Sequence, residues 1–83
     1  MIRLSEIRVG EQGRVRRVDG TDWISQRLME MGLTAGTMVR LLGSAPLGDP
    51  LELELRGYRL SVRRAEAQRV ELEVDTQAVG GTS

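Results

Sequence analysis

The stretch LELELRGYRLSV (51–62) constrains the fold more than any other part of the chain. Leu51, Leu53 and Leu55 alternate with Glu52 and Glu54, so a strand here carries one apolar face and one acidic face. A two-residue turn at Arg56-Gly57 returns the chain as a second strand. It sets Leu53 opposite Leu60, Leu51 opposite Val62 and Glu54 opposite Arg59. In that register apolar meets apolar and acid meets base, whereas a slip by one residue would turn the leucines to water.

Three further strands are predicted. GRVRRVD (13–19) is one, although Val15 and Val18 fall on opposite faces of a flat strand, so it needs a bulge or a strong bend. TMVRLLGS (37–44) is apolar, and RVELEV (69–74) turns Val70, Leu72 and Val74 inward. TDWISQRLMEMGL (21–33) is the one convincing helix. Thr21 or Asp22 can cap it, and Ile24, Leu28 and Met31 form the stripe expected to face the core. Gly32 suits the left-handed position after the last turn, with Leu33 then touching Leu28. TAGT (34–37) reads as a type II turn with Gly36 at the positive-φ position. Leu4 and Ile7 are pinned by a short turn, and RAEAQ (64–68) is about one helical turn before the last strand. TQAVGGTS (76–83) is polar and Gly-rich and is expected to be a disordered tail behind a domain over 1–75.

Strands with one apolar face must close on themselves or be covered. With a single short helix between the first and second strands, the expected fold is mainly β, a small curled barrel of about five strands.

APLGDP (45–50) interrupts this pattern. Pro46 and Pro50 each fix φ and bias the preceding residue away from helix, and Gly48 and Asp49 supply turn chemistry. Leu47 therefore sits on a stiffened arch. The expectation is that it packs at least partly on the end of the barrel.

Composition narrows the function. Neither His nor Cys occurs, which removes the commonest catalytic base, the thiolate nucleophile and the usual ligands of borderline metals. No tight intrinsic transition-metal site and no cofactor are expected. Glu52, Glu54, Glu71 and Glu73 alternate on outer strand faces, where a carboxylate lacks the desolvated pocket that tunes it for catalysis. Twelve arginines balance twelve acids, so the positive excess behind non-specific nucleic-acid binding is missing. Trp23 and Tyr58 are too few for a base-stacking platform. No run is long enough to span a membrane, and no signal peptide opens the chain, so the cytoplasm is the expected compartment.

RLMEMGLTAG (27–36), Val39, PLGDPLELELRGYRLSVRRAEA (46–67) and Val70 together resemble the FeoA family, over about Leu4 to Val74. Ala35 departs from the proline that the family often has before the glycine. The resemblance implies an SH3-like barrel and a small cytosolic protein accompanying FeoB, a membrane ferrous-iron transporter with a G-protein domain. It implies a partner protein and brings no catalytic residues. The same barrel also ends metal-dependent repressors of the DtxR type, behind a helix-turn-helix that this sequence does not show. An accessory domain of such a regulator, or a nucleic-acid-binding module, is the alternative function.

The partner is expected to be the FeoB-type transporter, met at its cytosolic GTPase region or its membrane domain, by a monomer or weak homo-oligomer without membrane insertion. Trp23 and Met29 lie off the core stripe of the helix and are left over as candidate anchors. Arg27 and Glu30 on the same element would set orientation, and Leu47 on the arch completes the candidate partner-binding set.

Overall fold

The hairpin forms in the register its alternation dictates. β4 (Leu51–Leu55) and β5 (Tyr58–Val62) pair antiparallel with Leu51 opposite Val62, Leu53 opposite Leu60 and Glu54 opposite Arg59. Arg56 and Gly57 both take positive φ, 52° and 83°, the mirror-image turn whose twist matches that of the strands.

This computed structural model describes residues 2–74; the expected tail over 76–83 lies outside the described residues. Around the hairpin stand β1 (Ile2–Arg3), β2 (Gln12–Val18), β3 (Met38–Ser44) and β6 (Val70–Val74). Helix α1 (Trp23–Glu30) joins β2 to β3, and α2 (Arg64–Ala67) joins β5 to β6. The strands form one antiparallel sheet in the order β1-β6-β2-β3-β4-β5.

This corrects the expected closed, SH3-like barrel of about five strands. The sheet is open, has six strands among the described residues, and places the helix between the second and third of them. Closure would need β1 to pair with β5. Instead β1 is two residues long and is used up against Leu72 and Glu71 of β6, which leaves β5 as the opposite edge. The apolar face is covered rather than closed. Leu4 from the short 3-10 turn after β1, Leu28 from α1, Leu33 after it and Ala67 from α2 all lie buried against the sheet leucines and valines. Two bulges bend the sheet around this core. One falls between Val15 and Arg17 of β2 and lets Val15 and Val18 both reach the core; the other falls between Leu41 and Gly43 of β3.

Asp22 caps α1, accepting the Ser25 N–H at 3.3 Å. The helix ends as its sequence predicts. Gly32 has φ 111°, its N–H donates to the Met29 carbonyl at 3.0 Å, and the Leu33 N–H donates to the Leu28 carbonyl at 3.1 Å. Gly36 follows at φ 92° in the turn closed by Thr37 N–H on the Thr34 carbonyl at 3.0 Å. The buried stripe differs from the expected one. Leu28 is buried, but its companion is Ser25, while Ile24 and Met31 are half-buried flanks. Ser25 is tolerated because its hydroxyl donates to the Asp22 carbonyl at 2.8 Å, so no polar atom is left unpaired.

Candidate functional site

The arch is built from its backbone outward. The Gly48 N–H donates to the Ala45 carbonyl at 2.7 Å, and the Ala45 N–H donates to the Pro50 carbonyl at 3.0 Å. Pro46 and Leu47 are thus the central residues of a tight turn. Arg64, at the start of α2, holds the turn from outside. Its backbone N–H donates to the Asp49 carboxylate at 2.9 Å, and its Nε and Nη2 both donate to the Gly48 carbonyl, at 3.1 and 2.9 Å. Its Nη1 reaches the Ser5 carbonyl at 3.3 Å, so one side chain ties the arch, α2 and the N-terminal turn together.

Leu47 does not pack on the sheet; it is 98% exposed at the tip of this held turn. The expectation of a plug is therefore corrected. The two prolines do stiffen the arch, but Arg64 fixes it in a position that lifts the leucine off the core. Leu47→Ala is accordingly expected to change stability by no more than about 0.5 kcal/mol, as for an ordinary surface position, in urea unfolding. A loss above about 1.5 kcal/mol would mean that the side chain is packed.

Helix α1 presents a second feature. Trp23 is 66% exposed, and the Arg27 guanidinium stacks over its ring at 5.3 Å from the centroid. A cation over an indole face is favourable and holds both side chains in one arrangement. Arg27 also pairs with the Glu66 carboxylate of α2. At about 100° per residue, Trp23, Arg27 and Glu30 share one exposed wedge of the helix. Met29, 39% exposed, lies on the opposite flank of the buried stripe, so it does not share a patch with Trp23.

Between these features lies a groove of about 230 Å³ lined by Arg27, Met31, Pro50, Ser61, Arg63 and Glu66. It joins the helix face to the root of the arch. Sequence reasoning singled out Trp23, Arg27, Met29, Glu30 and Leu47, but not the connectors Arg64 and Glu66 or the groove-lining Arg63. The available signal was the Arg63-Arg64 pair directly before a helical turn. Arg64's partner Gly48 lies 16 residues away and Glu66's partner Arg27 lies 39 away, distances no local pattern reveals.

The start of α1 is anchored to the approach to β6. Arg69 grips the Asp22 carboxylate with two parallel hydrogen bonds, 2.7 and 2.9 Å, and this guanidinium, aided by the Ser25 N–H, holds the Asp22 pKa below its ordinary value. A depressed carboxylate contributes stability above its unfolded pKa, and that contribution is lost as pH falls through the lowered folded value. Arg69→Met should therefore narrow the gap between urea midpoints at about pH 6 and about pH 3. An unchanged gap would show that this pair does not feed acid lability.

Among the described residues no group of three or more carboxylates is placed to hold a metal ion, and no helix is long and apolar enough to cross a membrane.

Known proteins give this surface its context. The FeoA domain model matches residues 2–74. The Fe(2+) transport protein A/Fe(2+) transporter FeoB fusion protein of Porphyromonas gingivalis is 36% identical over 73 residues, which cover 88% of this chain and 9% of that protein. The solution structure of the FeoA protein from Chlorobium tepidum superposes with a TM-score of 0.81 at 36% identity, covering 88% of this chain and 70% of that one. The zinc complex of Stenotrophomonas maltophilia FeoA gives a TM-score of 0.77 at 31% identity, with 88% and 91% covered. The chain belongs to the FeoA-domain family, a family of non-catalytic accessory proteins linked to ferrous-iron transport.

Proposed function

We propose that this protein works in the cytoplasm as a regulatory module that docks on the cytosolic GTPase region of a FeoB-type ferrous-iron transporter. The docking face is Trp23 with Arg27, Glu30 at its rim, and Leu47 on the arch. The observation that carries the reading is the Porphyromonas gingivalis relative, which joins a related segment to a FeoB transporter in one polypeptide. A covalent tether raises the effective concentration of two modules for each other, an arrangement useful when they act together.

The surface chemistry agrees with a protein partner. Trp and Arg dominate binding hot spots, and here they are already stacked before any partner arrives. Leu47 is an apolar side chain held out by a hydrogen-bonded turn, so little ordering remains to oppose binding. The nucleic-acid and regulator alternative has weaker support, since formal net charge is zero and aromatic residues number two.

The test is a pull-down in which the immobilised protein meets the transporter's soluble GTPase domain in parallel with duplex and single-stranded DNA and RNA. Retention of the GTPase domain alone is expected. Retention of a nucleic acid in its place would transfer the function to the alternative.

A further inference from the structure

Among the described residues β5 is an edge of the sheet, paired with β4 alone. Its turn makes Leu55 and Tyr58 the first hydrogen-bonded pair, so Tyr58, Leu60 and Val62 aim their main-chain groups at β4. Arg59 and Ser61 aim theirs outward. Such an edge is a template for another extended chain unless the fold obstructs it.

The surroundings of this edge leave room on its outer side. The Tyr58 hydroxyl donates to the Met31 carbonyl and fixes the end of α1 beside the strand. The groove lined by Ser61, Arg63, Arg27 and Met31 opens between them. A strand added to β5 would border this groove at Ser61 and Arg63.

Charge decides what kind of strand fits. Arg59, Ser61 and Arg63 are all exposed, and Arg63 continues the extended row at φ −60°, ψ 142°. Among the described residues neither arginine makes an ion pair or a side-chain hydrogen bond. The nearby acids stand on the inner side, toward β4 and the helices, so a chain added outside β5 meets each arginine from its open flank. Glu66 pairs with Arg27, Glu52 accepts the Ser61 hydroxyl at 3.0 Å, and Glu54 faces Arg59 from β4. A second copy of this chain is disfavoured. Antiparallel pairing centred on Ser61 would set Arg59 of each copy against Arg63 of the other, and like charges directly opposite destabilise a ladder. The same spacing favours a strand with carboxylates at both positions.

We propose that β5 takes an extended acidic segment of a partner protein as an added antiparallel strand, with two carboxylates four residues apart facing Arg59 and Arg63. Main-chain hydrogen bonds to Arg59 and Ser61 supply affinity and the two arginines supply selectivity. The edge recognises this segment whichever protein carries it, so it stands apart from the identity of the transporter.

The probe is a synthetic Thr/Val peptide of about ten residues with two glutamates four apart, compared with its diglutamine and dilysine counterparts. Titrated into the isotope-labelled protein, the diglutamate peptide is expected to slow hydrogen exchange at the Arg59 and Ser61 amides and to bind about tenfold or more tighter than the diglutamine peptide. N-methylation of its edge-facing amides should abolish binding, and Arg59→Glu with Arg63→Glu should transfer preference to the dilysine peptide. Equal affinity for the diglutamine peptide, binding that survives N-methylation, or shifts centred on Trp23 and Leu47 would each overturn the proposal.

Discussion

Gly32→Ala is expected to lower stability by about 2–4 kcal/mol, a large share of what a domain of this size has to lose. Two costs combine. At φ 111° any L side chain meets the left-handed penalty, on the order of 1–2 kcal/mol. A Cβ there would also run into the Tyr58 hydroxyl and come within 3.1 Å of Leu55 Cδ1. Neither neighbour yields easily, because the hydroxyl is bound to the Met31 carbonyl and Leu55 is buried. Gly36 separates the two costs. Its φ is 92°, but nothing lies within 4 Å of its Cβ position. Gly36→Ala should therefore lose only about 1–2 kcal/mol. For a domain of this length the difference is several degrees or more in melting temperature. Equal losses for the two variants would show that the Tyr58–Leu55 contact adds nothing.

The same glycine shows what was legible in the sequence. Gly32 and Leu33 follow a periodic apolar run, and the cap they form depends on residues only five apart, Leu28 to Leu33. The hairpin register was equally local, since alternation and a two-residue turn suffice to set it. Even the bulge in β2 could be anticipated, because Val15 and Val18 demanded one. Closure of the sheet was another matter. It depends on whether Ile2 and Arg3 take up the outer side of β6, a pairing across almost the whole chain that two residues cannot announce. Covering by Leu4, Leu28 and Ala67 then replaced the strand pairing a barrel requires.

The proposed docking surface was half legible for the same reason. An apolar residue between two prolines marks a held loop, but whether it is held in or out depends on an arginine 16 residues away. Trp23 stood off the core stripe and is exposed, as the helical wheel indicates. Met29 also stood off it, but on the other flank, a distinction that needs the position of the true stripe through Ser25 and Leu28. Arg27 was read as an orienting charge. The structure gives it two partners, the indole of Trp23 and the carboxylate of Glu66.

The double variant Trp23→Ala with Leu47→Ala carries the largest expected functional effect. Neither side chain is packed in the core, so the variant should fold and lose no more than about 1 kcal/mol, chiefly the stacking with Arg27. If both are anchors, truncating them removes hot-spot energy of about 2 kcal/mol or more, which is about thirtyfold or more in affinity. Met29→Ala, on the opposite flank of α1, is the matched control and should leave affinity within about threefold. The direct measurement is calorimetric titration of the transporter's cytosolic GTPase domain with the parent protein, the double variant and the Met29 control, each first checked for folding. A selective loss in the double variant is the result expected. A folded double variant that binds as tightly as the parent, or an equal loss in Met29→Ala, would contradict the proposed docking face.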